Sequence, residues 1–146
     1  MNANKKTTGL DMKVKLSTLW IVVMFNIVYA DILSLFIPGV HEELAEFVGG
    51  TPITLVMLVG AITLQVPIAM IFFSRVLKYR ANRWANIIAG AITIVLVIGG
   101  GSTNPHYIFI ATIAVVSLLA IIWHAWKWPK QEARVDSIFY KKLLRC

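Results

Sequence analysis

Leu16-Ser17-Thr18-Leu19-Trp20-Ile21-Val22-Val23-Met24-Phe25-Asn26-Ile27-Val28-Tyr29-Ala30-Asp31-Ile32-Leu33-Ser34-Leu35-Phe36-Ile37 is an apolar run interrupted near its centre by Asn26, Tyr29 and Asp31. A hydrocarbon core about 30 Å thick takes about 20 helical residues, so the run spans a bilayer once. Three more stretches do the same, approximately Pro52 to Ser74, Trp84 to Gly100 and Tyr107 to Trp126. Of the 146 residues 58% are hydrophobic and 14% charged, a balance that excludes a soluble domain of this size.

The net charge of +7 would suit nucleic acid, but the placement of the charges excludes that reading. All 14 basic residues lie before the first span, between the second and third, or after the fourth. The other two loops carry none, and this bias predicts that both termini are cytoplasmic. The single cysteine, Cys146, is terminal, which removes internal disulfides and thiol redox pairs from consideration. Val28-Tyr29-Ala30 resembles a signal-peptidase site, yet apolar residues continue through Ile37 and favour a retained span.

Residues 1–11 read as a flexible polar extension and residues 12–128 as the transmembrane domain. Residues 129–146 read as a basic amphipathic tail lying on the inner leaflet against anionic headgroups. After the first span, Pro38-Gly39 ends the helix. Val40, Leu44, Phe47 and Val48 then recur at helical spacing opposite Glu42, Glu43 and Glu46, which predicts a short amphipathic helix on the outer surface. His41 beside those carboxylates offers divalent-cation ligands, the alternative being a solvated acidic face.

The polar residues of the spans define the candidate site. Counted from the outer end, Asp31 lies about 8 Å deep, Tyr29 about 10 Å and Asn26 about 15 Å. Asn26 and Tyr29 share a face, whereas Asp31 is turned about 140° from Asn26 and groups with Ser34. In the second span Pro67 leaves the carbonyl of Thr63 without its helical donor, close in sequence to Gln65. Asn26, Gln65, Thr93 and Ser117 fall near mid-membrane, one per helix, where polar groups need a partner or a water-filled cavity. Interhelical hydrogen bonding and a small polar cavity both meet that need.

In the third span Asn82, Asn86, Gly90 and Thr93 make one row, and Ala85, Ala89 and Thr93 a second row of small residues suited to close helix packing. His106, in the Gly-rich outer loop, can approach the Asp31 end of the first helix, although a lone loop histidine is usually just solvated. Trp123, Trp126 and Trp128, with Trp20 and Trp84, read as a cytoplasmic aromatic belt.

Met12-Lys13-Val14-Lys15-Leu16-Ser17-Thr18-Leu19-Trp20, Phe25-Asn26 with Tyr29-Ala30-Asp31, Val66-Pro67-Ile68-Ala69-Met70, Ser74-Arg75-Val76-Leu77 and Tyr79 through Gly90 resemble a family of small bacterial four-helix membrane proteins catalogued as a domain of unknown function. The resemblance implies a bacterial inner-membrane protein with four helices, and it supplies no known activity or catalytic residues. A looser likeness to DoxX-like membrane proteins is one of size and topology alone.

The expected architecture is therefore an all-α membrane protein: four transmembrane helices in a bundle, both termini inside, and a short outer helix after the first span. The first functional expectation is binding or transport of a small solute or cation through a pocket lined by Asn26, Tyr29, Asp31 and Gln65. The alternative is a non-catalytic membrane scaffold or accessory subunit, self-associating or bound to a partner through small-residue helix faces. An intramembrane enzyme using Asp31, Tyr29 and His124 ranks third, because His124 lies near the inner interface. No catalytic residue, metal centre or cofactor is assigned.

Overall fold

The computed structural model describes residues 7–128, so the tail at 129–146 lies outside the described residues. Without water to bond the peptide groups, apolar chain in a bilayer satisfies its backbone as helix. The described residues form α1 (Thr7–Ser34), α2 (Val40–Phe47), α3 (Ile53–Val76), α4 (Tyr79–Gly99) and α5 (Pro105–Lys127). All but α2 are long and apolar enough to cross a membrane, which makes this a multi-pass membrane protein. α1 begins at Thr7, inside the expected extension; its 28 residues reach about 42 Å, well beyond the hydrocarbon core. α2 forms where the Val40 periodicity predicts, with Glu42, Glu43 and Glu46 exposed.

The four long helices run alternately up and down, and neighbours in sequence pack side by side, with α5 closing the ring against α1. One end of the bundle carries Lys13, Lys15, Arg75, Lys78, Arg80, Arg83 and Lys127; the other carries α2 and the glycine-rich α4–α5 loop. These are called the basic and acidic ends. Leu16, Trp20, Val23, Met70, Leu118 and Ile121 belong to the core, with Tyr79 and Trp128 at its basic end. α3 contributes only Pro67, Met70 and Ser74 as buried residues, all from its second half. Its first half stands almost wholly exposed.

At the basic end a buried polar knot ties the helices together. The Trp20 Nε1 donates to Asn86 Oδ1 at 2.7 Å, and the Ser74 hydroxyl donates to the same oxygen at 3.1 Å. Asn86 Nδ2 donates to the Asn82 carbonyl at 2.8 Å and to the Asn82 side-chain oxygen. Asn82 Nδ2 in turn donates to the Ser74 carbonyl at 2.6 Å, satisfying one of the acceptors left over in the last turn of α3. The Ser17 hydroxyl donates to the Ile71 carbonyl at 2.9 Å and accepts from Arg75 Nε at 3.1 Å. Tyr79 completes the ring of contacts: its hydroxyl donates to the Trp128 carbonyl at 2.7 Å and its ring meets the Trp128 indole edge-on.

Two expectations are corrected here. α4 starts five residues before Trp84, because Tyr79 and Asn82 turn inward; the α3–α4 connection shrinks to Leu77 and Lys78. Trp20 and Trp128 leave the expected aromatic belt for the interior, where the Trp20 indole N–H has an amide acceptor. The exposed belt is Trp84, Trp123 and Trp126, with Lys127 Nζ over the Trp123 ring at 4.1 Å and Arg83 over Trp126 at 5.6 Å. The small-residue row of α4 packs within the chain: a Cβ on Gly90 would stand 3.0 Å from Ile122 Cγ1.

Asn86→Leu strands the Trp20 indole N–H and the Asn82 side-chain oxygen in the core. Such orphaned groups cost about 1–3 kcal/mol each, and the variant should melt clearly lower in detergent and shift its tryptophan emission. An unchanged melting temperature would show the knot to be dispensable.

Candidate functional site

The four candidate ligand residues occupy different surroundings. Asn26 is half-buried, and its Nδ2 donates to the Val22 carbonyl of its own helix at 2.8 Å. Tyr29 is 58% exposed, and Asp31 and Gln65 are exposed as well. α1 meets α3 through Ser17. Asn26 is nine residues further on, about 180° round the helix, and so faces away from α3 and Gln65. In α3, Pro67 is buried against the bundle and Gln65 is turned about 160° from it. The Thr63 carbonyl that Pro67 cannot bond lies on the bundle side, so it does not share a pocket with the Gln65 amide. The bundle therefore does not gather these residues around one interior cavity.

The mid-membrane layer is satisfied locally. Thr93 Oγ1 donates to the Ala89 carbonyl at 2.7 Å and Ser117 Oγ to the Ile113 carbonyl at 2.9 Å, each one turn back on its own helix. These bonds neither knit the helices together nor line a channel. His124 Nδ1 likewise meets the Ala120 carbonyl at 2.7 Å, near the basic end and far along α5 from the residues facing Asp31.

What the structure does assemble lies at the acidic end. Ser34, one turn beyond Asp31 on α1, donates to the Ala30 carbonyl and lies 3.4 Å from His106 Nε2 at the start of α5. His106 thus stands in the first turn of α5, against the end of α1. Tyr107 follows His106, and its hydroxyl donates to the Val97 carbonyl at 2.9 Å, pinning α5 to the last turn of α4. Beside it a groove of about 480 Å³ opens between α4 and α5, lined by Val97, Gly101, Ser102, Tyr107 and Thr112 among others. A carboxyl, a hydroxyl and an imidazole, from Asp31, Ser34 and His106, thus lie at the acidic ends of α1 and α5. Such groups can hold or pass a proton, or contribute oxygen ligands to a small cation.

Depth alone had suggested the Asn26–Gln65 pairing, and depth says nothing of which way each helix is turned. The groups that sequence reasoning missed are those of the basic-end knot. Their signal was present in Asn82 and Asn86, one turn apart where a helix entering lipid would otherwise be apolar, and in an early tryptophan able to donate to them.

No curated protein and no solved structure shows significant similarity to this sequence. A family model does match, over residues 8–135, and it places the chain in the family of unknown function DUF6326.

Proposed function

We propose that the chain is a bacterial inner-membrane subunit, with both termini cytoplasmic, that works through lateral contacts in the bilayer and not through a pore within its own bundle. One observation carries this reading. No buried side-chain polar atom among the described residues lacks a hydrogen-bond partner, whereas Tyr29, Asp31 and Gln65 all stand on the outer surface. Polar groups at membrane depth are costly unless covered, so these faces suit contact with another protein. Anionic headgroups suit the basic end, where Arg75, Arg83 and Lys127 join the exposed tryptophans.

Binding of a small solute or cation is the second reading, favoured by the Ser34–His106 contact beside Asp31. On this reading ligand enters at the acidic end, with Asp31 supplying charge. A pocket using Asn26, Tyr29 and Gln65 together would then form between subunits.

Three measurements test these readings. A membrane-impermeant maleimide should label Cys146 only after the membrane is opened; labelling of sealed cells would reverse the orientation. A photo-crosslinking residue at position 58, on the exposed face of α3, should yield a discrete protein adduct in native membranes, while one at position 95 of α4 should yield lipid. Lipid adducts alone at position 58 would remove the lateral reading. For the second reading, Asp31→Asn should abolish pH-dependent binding or flux in proteoliposomes, and unchanged behaviour would take Asp31 out of the mechanism.

A further inference from the structure

Thr54, Leu58, Ala61, Gln65, Ile68 and Phe72 recur along α3 at alternating steps of four and three residues, and all six are exposed. This 3.5-residue spacing is the one by which two helices keep a single stripe in mutual contact along a left-handed crossing. Gln65 is central to it, 12 residues after Ile53 and 11 before Val76. That is about 17 Å from either helix end, too far for the side chain to bring its amide to the interface. A carboxamide carries two donors and one acceptor oxygen, and lipid satisfies none of them.

We propose that a second copy of this chain covers this stripe, the two α3 helices crossing at a two-fold axis along the membrane normal that passes beside Gln65. Two copies inserted in the same orientation present α3 in parallel, so a two-fold axis sets each residue against its own counterpart. The carboxamide suits that arrangement because it is its own complement: each Gln65 donates to the oxygen of the other. A lone polar residue within an apolar heptad stripe also fixes register and number of strands. The exposed first half of α3 would then pack against its counterpart, in place of the intramolecular neighbours it lacks. This inference rests on the lateral reading above and goes beyond it by naming the partner.

The test uses the full chain with Cys146→Ser, purified and reconstituted in liposomes. Under mild oxidation Ala61→Cys should give disulfide-linked dimers, whereas Val59→Cys, turned about 140° from the middle of the stripe, should not. Energy transfer between labelled copies should survive lipid dilution. Gln65→Leu should weaken association about tenfold, the order of an interhelical amide contact in model peptides, while Gln65→Asn should retain most of it. Because Gln65 is exposed and outside the core, both variants should keep their helix content. Transfer that vanishes on dilution, equal cross-linking at 59 and 61, or an undiminished Gln65→Leu dimer would overturn the proposal. If copies remain monomeric while position 58 still forms an adduct with a different protein in native membranes, the second copy is wrong and the lateral reading stands. Loss of both would remove both.

Discussion

The Asn86 carboxamide is the constraint on which the bundle depends. Its oxygen accepts from α1 and α3, through Trp20 and Ser74, and its nitrogen donates to Asn82 within α4. Apolar helices in lipid have no hydrophobic drive to associate with one another; close packing and polar contacts must select their arrangement. An apolar surface tolerates a small slide or rotation, whereas an amide that serves several partners in fixed directions does not. Asn86 therefore sets rotation and height for three helices at once, and the Tyr79–Trp128 contact extends the setting to α5.

The consequence is an asymmetric molecule. At the basic end, the short α3–α4 connection and the knot bring Trp20, Ser74, Asn82 and Asn86 together, all with hydrogen-bond partners. Towards the acidic end the first half of α3 is exposed, and polar ties among the described residues include the Tyr107–Val97 bond and the longer Ser34–His106 contact. The cover over α3 thus falls along the bundle axis. A basic end so fully occupied suits anchoring, with Trp84, Trp123 and Trp126 at the interface and cations over two of these rings.

Much of this was legible in the sequence. Apolar length gave the four spans, the Val40 periodicity gave α2, and the small-residue row of α4 pointed to close packing, realised at Gly90 against Ile122. The obscured parts share one physical cause: a linear sequence fixes depth and relative azimuth along one helix, but not how that helix is turned towards the next. Asn26 and Gln65 are at similar depths yet face apart. Trp20 is placed where an interfacial tryptophan would be, and only the position of Asn86 across the bundle draws it inside. The early start of α4 is a related case, since the row from Asn82 to Thr93 does not show that Asn82 reaches across to the Ser74 carbonyl of α3.

Asn86 and Gln65 carry the same functional group under opposite conditions, and the contrast explains what each position can tolerate. Asn86 is enclosed and saturated, so an apolar replacement leaves its partners stranded, and the cost falls on the fold. Gln65 is attached to a helix whose own fold does not use it, so leucine there removes an unpaired group and strands nothing within the chain. For the isolated chain in lipid, such a replacement is expected to be neutral or favourable. A mid-span amide that is a burden to the monomer acquires a physical rationale only in an assembly that satisfies it. That argument makes the exposed face of α3 the part of the surface where stability of the single chain and activity of the protein are most sharply separable.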